Sequence, residues 1–128
     1  MNIIILIFIL LHPNQEQGLF LLTKNERPIE WNECLAEVGR KKSKDMVERG
    51  YWSHEDPVTG ENKTWSWIKE CEDYKYAGEN ISKNFENSIE AHKALMDSLT
   101  HKKNIMESNF NKLGVGCYKN ICTEIFTN

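Results

Sequence analysis

Tyr76-Ala77-Gly78-Glu79-Asn80-Ile81-Ser82, in the middle of the chain, places a carboxylate and an amide between a glycine and a strand-like step at Ile81. Aromatic and apolar residues flank the pair, so Glu79 is expected inside the protein rather than on a solvated face. A buried carboxylate is costly unless another group pairs with it. Two imidazoles are candidates. His54 lies upstream in Tyr51-Trp52-Ser53-His54-Glu55-Asp56-Pro57, and His101 lies downstream in Ser98-Leu99-Thr100-His101-Lys102-Lys103-Asn104-Ile105.

Around this stretch the chain has material for one domain. At 128 residues it can bury roughly two-thirds of its unfolded surface. A net charge of −3, from 16 Lys+Arg against 19 Asp+Glu, gives no long-range pull toward nucleic acid or anionic lipid. Nucleic acid is therefore not an expected partner. The local run Arg40-Lys41-Lys42-Ser43-Lys44 has Glu37, Asp45 and Glu48 one helical turn away, and it reads as a solvated helix face.

Working outward, Ile3 to Leu11 is an unbroken apolar run, too short to span a membrane. Residues 1–14 read as an export signal core broken by His12-Pro13-Asn14, with a buried first helix or strand as the competing reading. No Lys or Arg precedes the run and no small-residue cleavage site follows it. Residues 15–128 form the domain proper. A short amphipathic helix is expected over Gln15–Arg27, ended by Pro28. A long one is expected over Glu30–Arg49, with Trp31, Cys34, Leu35, Val38 and Met46 on its apolar side and Gly50 as its stop. Thr64 is placed to cap a helix running through Glu72. Asn87 or Ser88 opens another, with Ile89, Ala91, Leu95 and Met96 inward and His92 as a packed histidine. The chain ends in a hairpin, Leu113–Tyr118 and Ile121–Phe126, around Lys119-Asn120. Helices first and strands late and antiparallel make an α+β layout.

Four cysteines allow three pairings. Cys117 and Cys122 flank the hairpin tip, where directly opposed cysteines can meet bridging geometry. Cys34 and Cys71 sit in predicted helices, as buried free thiols or as a second bridge. No Cys-x-x-Cys occurs, so a zinc ribbon or a thioredoxin-like site has no support.

Five segments, in order, resemble the CAP superfamily (cysteine-rich secretory, antigen 5 and pathogenesis-related proteins; the SCP-like extracellular domain) in its short bacterial branch. They are Trp31–Ala36, Met46–His54, Ala77-Gly78-Glu79-Asn80-Ile81, Ser98–Ile105 with its Ser-x-x-His-x-x-Asn-Ile pattern, and Leu113-Gly114-Val115-Gly116. The match covers roughly Leu19 to Phe126. The resemblance implies a three-layer α-β-α sandwich with a small antiparallel sheet, secreted or held at the cell envelope. It also implies a cleft with two histidines, here His54 and His101, and a first acid, here Glu79. The family's second acid falls on Ser98, with Leu95 where a tryptophan is usual. Asp97 is adjacent but points about 100° away on a helix. The link between Arg27 and Trp31 is also shorter than the family's usual glycine-containing loop.

The residues themselves leave three readings open. His54, His101 and Glu79 could form a first shell for Zn²⁺ or a similar ion with a position left for water. Glu79 could instead accept a proton from an imidazole and fix its tautomer. Glu79 and Asn80 could also be structural, satisfying backbone groups around the strand. The expected function is a non-enzymatic binding module with His54, Glu79, His101, Asn80 and Ser98 in its cleft, taking an extracellular protein or a lipid- or sterol-like ligand. The alternative is a metal-dependent or serine-type hydrolase in the same cleft. Ser98 within hydrogen-bond reach of His101 would favour that alternative.

Overall fold

The computed structural model describes residues 2–11 and 14–128. A four-stranded sheet in the order β1-β3-β4-β2 forms the middle layer. Its strands are Glu30–Trp31 (β1), Ala77–Lys83 (β2), Lys112–Tyr118 (β3) and Ile121–Thr127 (β4). Gln15–Glu26 (α2), Ser88–Asp97 (α5) and Leu99–Met106 (α6) cover one face, and Glu33–Arg49 (α3) and Thr64–Cys71 (α4) cover the other. Ile3–Leu11 (α1) precedes them. The fold is the expected α-β-α sandwich. Its sheet is antiparallel except for the two-residue β1·β3 pair, which is parallel.

Alternation along β4 explains the two cores. Cys122 and Phe126 point toward α2 and α5, joining Leu19, Leu95, Leu113 and Val115. Ile125 points the other way, onto Leu35, Val38 and Ile68. Each such side chain, removed from water, contributes about 1.5–3 kcal/mol.

α3 lies directly against β3, and two glycines permit it. A Cβ built on Gly114 would meet the Ala36 backbone nitrogen at 2.1 Å, and one on Gly116 would meet that of Arg40 at 1.9 Å. The Leu113-Gly114-Val115-Gly116 pattern is therefore a helix seat.

Several boundaries differ from the sequence reading. The long helix starts three residues later than Glu30, because Glu30 and Trp31 pair with Lys112 and Leu113 as β1. Asn32 caps the helix, its side chain accepting from Leu35 N–H at 3.0 Å; a good cap after a β-favouring tryptophan outweighed the helical spacing. The basic run is not uniformly solvated: Lys42 is only 2% exposed, and Arg40 is held by Glu16 and Glu33. The helix expected from Asn87 or Ser88 ends at Asp97, and Ser98, in extended backbone, separates it from a further helix, α6. His92 is buried beside Glu26. In α1 Ile3, Ile4 and Ile7 are exposed, which removes the buried-helix reading for those residues. The expected break at His12-Pro13 lies outside the described residues.

Lys119 and Asn120 both have positive φ, as a two-residue hairpin turn with the strands' own twist requires. The turn sets Cys117 directly opposite Cys122, and the two are bonded. Cys34 and Cys71 form a second bridge, tying α3 to α4. No helix among the described residues is long and apolar enough to cross a membrane.

Candidate functional site

α3 ends at Gly50 in the left-handed conformation, and the following loop carries His54 over the end of the sheet. Two buried groups hold this loop. Asp56, 2% exposed, accepts from Val58 and Thr59 N–H and pairs with Arg49 and Lys63. Arg49, followed by the backbone donors, holds its carboxyl well below the usual carboxylate range. Lys42 reaches up from α3 and donates to the His54 carbonyl at 2.7 Å. Burial pulls the Lys42 ammonium down from its ordinary value.

β2 presents Glu79 on the α3–α4 side and Asn80 on the α5–α6 side, since successive strand residues face opposite ways. Glu79 Oε1 lies 2.6 Å from His54 Nδ1 and 3.3 Å from Asn62 Nδ2. A carboxylate only accepts, so Nδ1 carries the proton. That bond raises the His54 pKa above the ordinary imidazole value, against the opposing effect of burial. The Glu79 side chain is 1% exposed, and its Oε2 has no partner.

Asn80 ties the opposite face together. Its Nδ2 donates to the His101 carbonyl and to Glu124 Oε1, each at 3.1 Å. Its Oδ1 accepts from Asn104 Nδ2 at 2.9 Å. Asn104 also donates to the Glu79 carbonyl, on the free edge of β2. Glu124, 1% exposed, has no ion-pair partner among the described residues, and burial pushes its carboxyl up to about 7. His101 Nδ1 is 2.8 Å from Ser98 Oγ. Burial, followed by the charge on His54, lowers the His101 pKa.

The expected cleft residues other than Asn80 line two cavities. His54 and Glu79 line a cavity of about 330 Å³ with Glu55, Asn62, Trp65 and Asn104. His101 and Ser98 line a separate, mostly apolar pocket of about 260 Å³ with Trp52, Ile81, Phe85 and Leu95. Asn80 lies at neither surface. Among the described residues no three His, Cys, Asp or Glu side chains form a group that could hold a metal ion. Of the three residues expected to hold Zn²⁺, Glu79 bonds His54 Nδ1 and His101 Nδ1 faces Ser98. Ser53 bonds its own loop at the Glu55 carbonyl, and Asp97 is exposed.

Sequence reasoning did not single out Lys42, Asn62, Asn104 or Glu124. Glu124 had a signal, as the one charge within Ile121–Phe126. Asn104 stood inside the Ser-x-x-His-x-x-Asn pattern without an assigned role. Asn62 and Lys42 had no local signal, because only the folded loop brings them to Glu79 and His54.

The helix–sheet–helix architecture is that of the SCP-like domain the five segments resemble. The chain belongs to the cysteine-rich secretory protein family, CAP, whose pattern it matches over residues 22–126. It is 38% identical over 103 residues to the uncharacterised protein YkwD of Bacillus subtilis strain 168, covering 80% of this chain and 37% of that protein. It is 33% identical over 99 residues to the uncharacterised membrane protein YlbC of the same strain, covering 77% of this chain and 28% of that protein. The chain therefore spans only 37% and 28% of the lengths of these two relatives. Among solved structures, an extracellular SCP-domain protein of Bacillus anthracis strain Ames superposes with a TM-score of 0.80 at 29% identity, over 89% of this chain and 40% of that one. An outer surface protein of Borrelia burgdorferi shares the fold at a TM-score of 0.71 and 16% identity, over 88% and 87% of the two chains.

Proposed function

We propose that this domain is an extracytoplasmic recognition module whose binding site is the His54–Glu79 cavity. The observation that carries the reading is the buried carboxylate that fixes the imidazole at 2.6 Å at the wall of an open cavity. Glu79 orients His54 there, leaving Nε2 free for a ligand. Among the described residues no Ser, Thr, Cys or Lys side chain lines the cavity, which favours binding over hydroxyl-, thiol- or amine-based covalent chemistry. Two disulfides fit an oxidising compartment, and the structural relatives described as extracellular or outer-surface support the same location. Native mass spectrometry of the domain recovered from its exporting host tests the proposal. The expected result is a bound mass in wild type that is lost in Glu79→Gln. No bound mass, or one unaffected by Glu79→Gln, overturns it.

One observation favours a second reading. Ser98 Oγ lies 2.8 Å from His101 Nδ1, with the imidazole held toward its neutral, proton-accepting form, at the mouth of an apolar pocket. This is the contact a serine-type hydrolase needs. No carboxylate bonds that imidazole, and a binding role for the pocket, including a lipid-like ligand, fits the same lining. Labelling by a fluorophosphonate probe, lost in Ser98→Ala, would establish the hydrolase reading; no labelling removes it.

A further inference from the structure

The lining of the His54–Glu79 cavity also selects a class of ligand, an inference that rests on the proposed binding role of that cavity. It combines one indole, Trp65, one imidazole, His54, two carboxamides, Asn62 and Asn104, and two carboxylates, Glu55 and Glu79. No Lys or Arg side chain lines it, and the two carboxylates repel a phosphate, sulfate or carboxylate ligand. Among the described residues no three His, Cys, Asp or Glu side chains gather to hold a bare cation. Glu79 Oε2 supplies a sharper constraint. It belongs to a side chain 1% exposed and has no hydrogen-bond partner. A buried carboxylate oxygen left unpaired is costly, so the site calls for a donor. Trp65 packs partly on the core and also lines the cavity. A volume of about 330 Å³ falls within the roughly 300–1,000 Å³ of small-molecule sites.

We propose that this cavity binds a neutral, hydroxyl-rich saccharide, one ring lying against Trp65 and one hydroxyl donating to Glu79 Oε2. Sugar hydroxyls both donate and accept, which suits a wall of carboxylate, carboxamide and imidazole groups. The apolar face of a pyranose ring suits the indole. Asn62 adds a second donor: its Oδ1 is committed to Thr64 N–H, while its Nδ2 faces Glu79.

The test is ¹H–¹⁵N NMR titration of the whole domain with the trisaccharides chitotriose and maltotriose. Expected are saturable shifts at the Trp65 indole N–H and at the Asn62 and Asn104 side-chain amides with at least one of them. Glu79→Gln should weaken binding about tenfold or more, as for loss of a hydrogen bond to a charged group. Because Trp65 also touches the core, Trp65→Phe accompanies Trp65→Ala, and Asn62→Asp removes the donor while keeping the Thr64 cap. Binding unchanged in folded Glu79→Gln and Trp65→Phe overturns the proposal. So does the absence of shifts at millimolar trisaccharide, which would assign Glu79 Oε2 to a buried water. Shifts of the same signals by glucuronate or by blocked trialanine, in place of the neutral sugars, also overturn it. A Glu79-dependent bound mass without saccharide shifts removes the ligand class and keeps the site; neither result removes both.

Discussion

Glu79→Ala would leave the His54 Nδ1–H and the Asn62 amide without an acceptor and open a hole beside them. Breaking a fully buried ion pair costs about 3–5 kcal/mol. The His54 side chain, however, is 43% exposed, so water can reach the orphaned imidazole. The expected loss is nearer the about 1–3 kcal/mol of a single buried unsatisfied group, read as a lower denaturation midpoint at unchanged slope. The pH dependence has a definite sign. Glu79 raises the folded-state His54 pKa, so the pair's contribution is complete below the unfolded imidazole value and fades as pH rises through the folded one. The stability gap between wild type and Glu79→Gln should therefore narrow on going from pH 6 to pH 9. Glu124 behaves alike for a different reason. Its carboxyl is pushed up to about 7 by burial, so ionisation at higher pH works against folding. Glu124→Gln keeps the acceptor for Asn80 and removes the charge. It should melt above wild type at pH 8, with the advantage shrinking toward pH 5; a variant less stable at both pH values would show that the carboxylate is held charged.

The strands and helices were legible where one residue type has one common use. Gly50 ends α3, Lys119-Asn120 turns the hairpin, and the turn then forces Cys117 and Cys122 together. Legibility failed where strand pairing overruled periodicity, at Trp31 in β1, and at α6, which follows Ser98 in extended backbone. The seat of α3 on β3 predicts that Gly116→Ala, with a Cβ 1.9 Å from Arg40 N, must push helix and sheet apart. Its cost should reach or exceed the about 1–3 kcal/mol of ordinary overpacking, measured by chemical denaturation; a change below half that would mean the helix shifts freely. The disulfides should also differ. Cys34–Cys71 closes a separation of 37 residues and Cys117–Cys122 one of 5. The chain-entropy relation gives about 4 and about 2 kcal/mol respectively. Pairwise replacement by serine or alanine, read in urea, should keep that order.

Across the whole molecule, the family and the three-layer arrangement could be read from five short segments, because each is tied to backbone geometry or packing that few residues satisfy. The candidate site was only partly legible. Glu79 and His54 stand out as residue types, but the alternation that sends Asn80 to the other face, and the loop that brings Asn62 and Lys42 in, exist only after folding. The hydrogen bond between His101 and Ser98 likewise exists only once Ser98 stands between α5 and α6. The oriented His54–Glu79 pair underlies both the recognition role and the ligand class, and ¹⁵N NMR of the His54 imidazole through a pH titration examines that pair. The structure predicts a neutral ring protonated at Nδ1, with a pKa above that of an unperturbed histidine that falls in Glu79→Gln. A ring protonated at Nε2, titrating at or below the ordinary value and indifferent to Glu79→Gln, would contradict it.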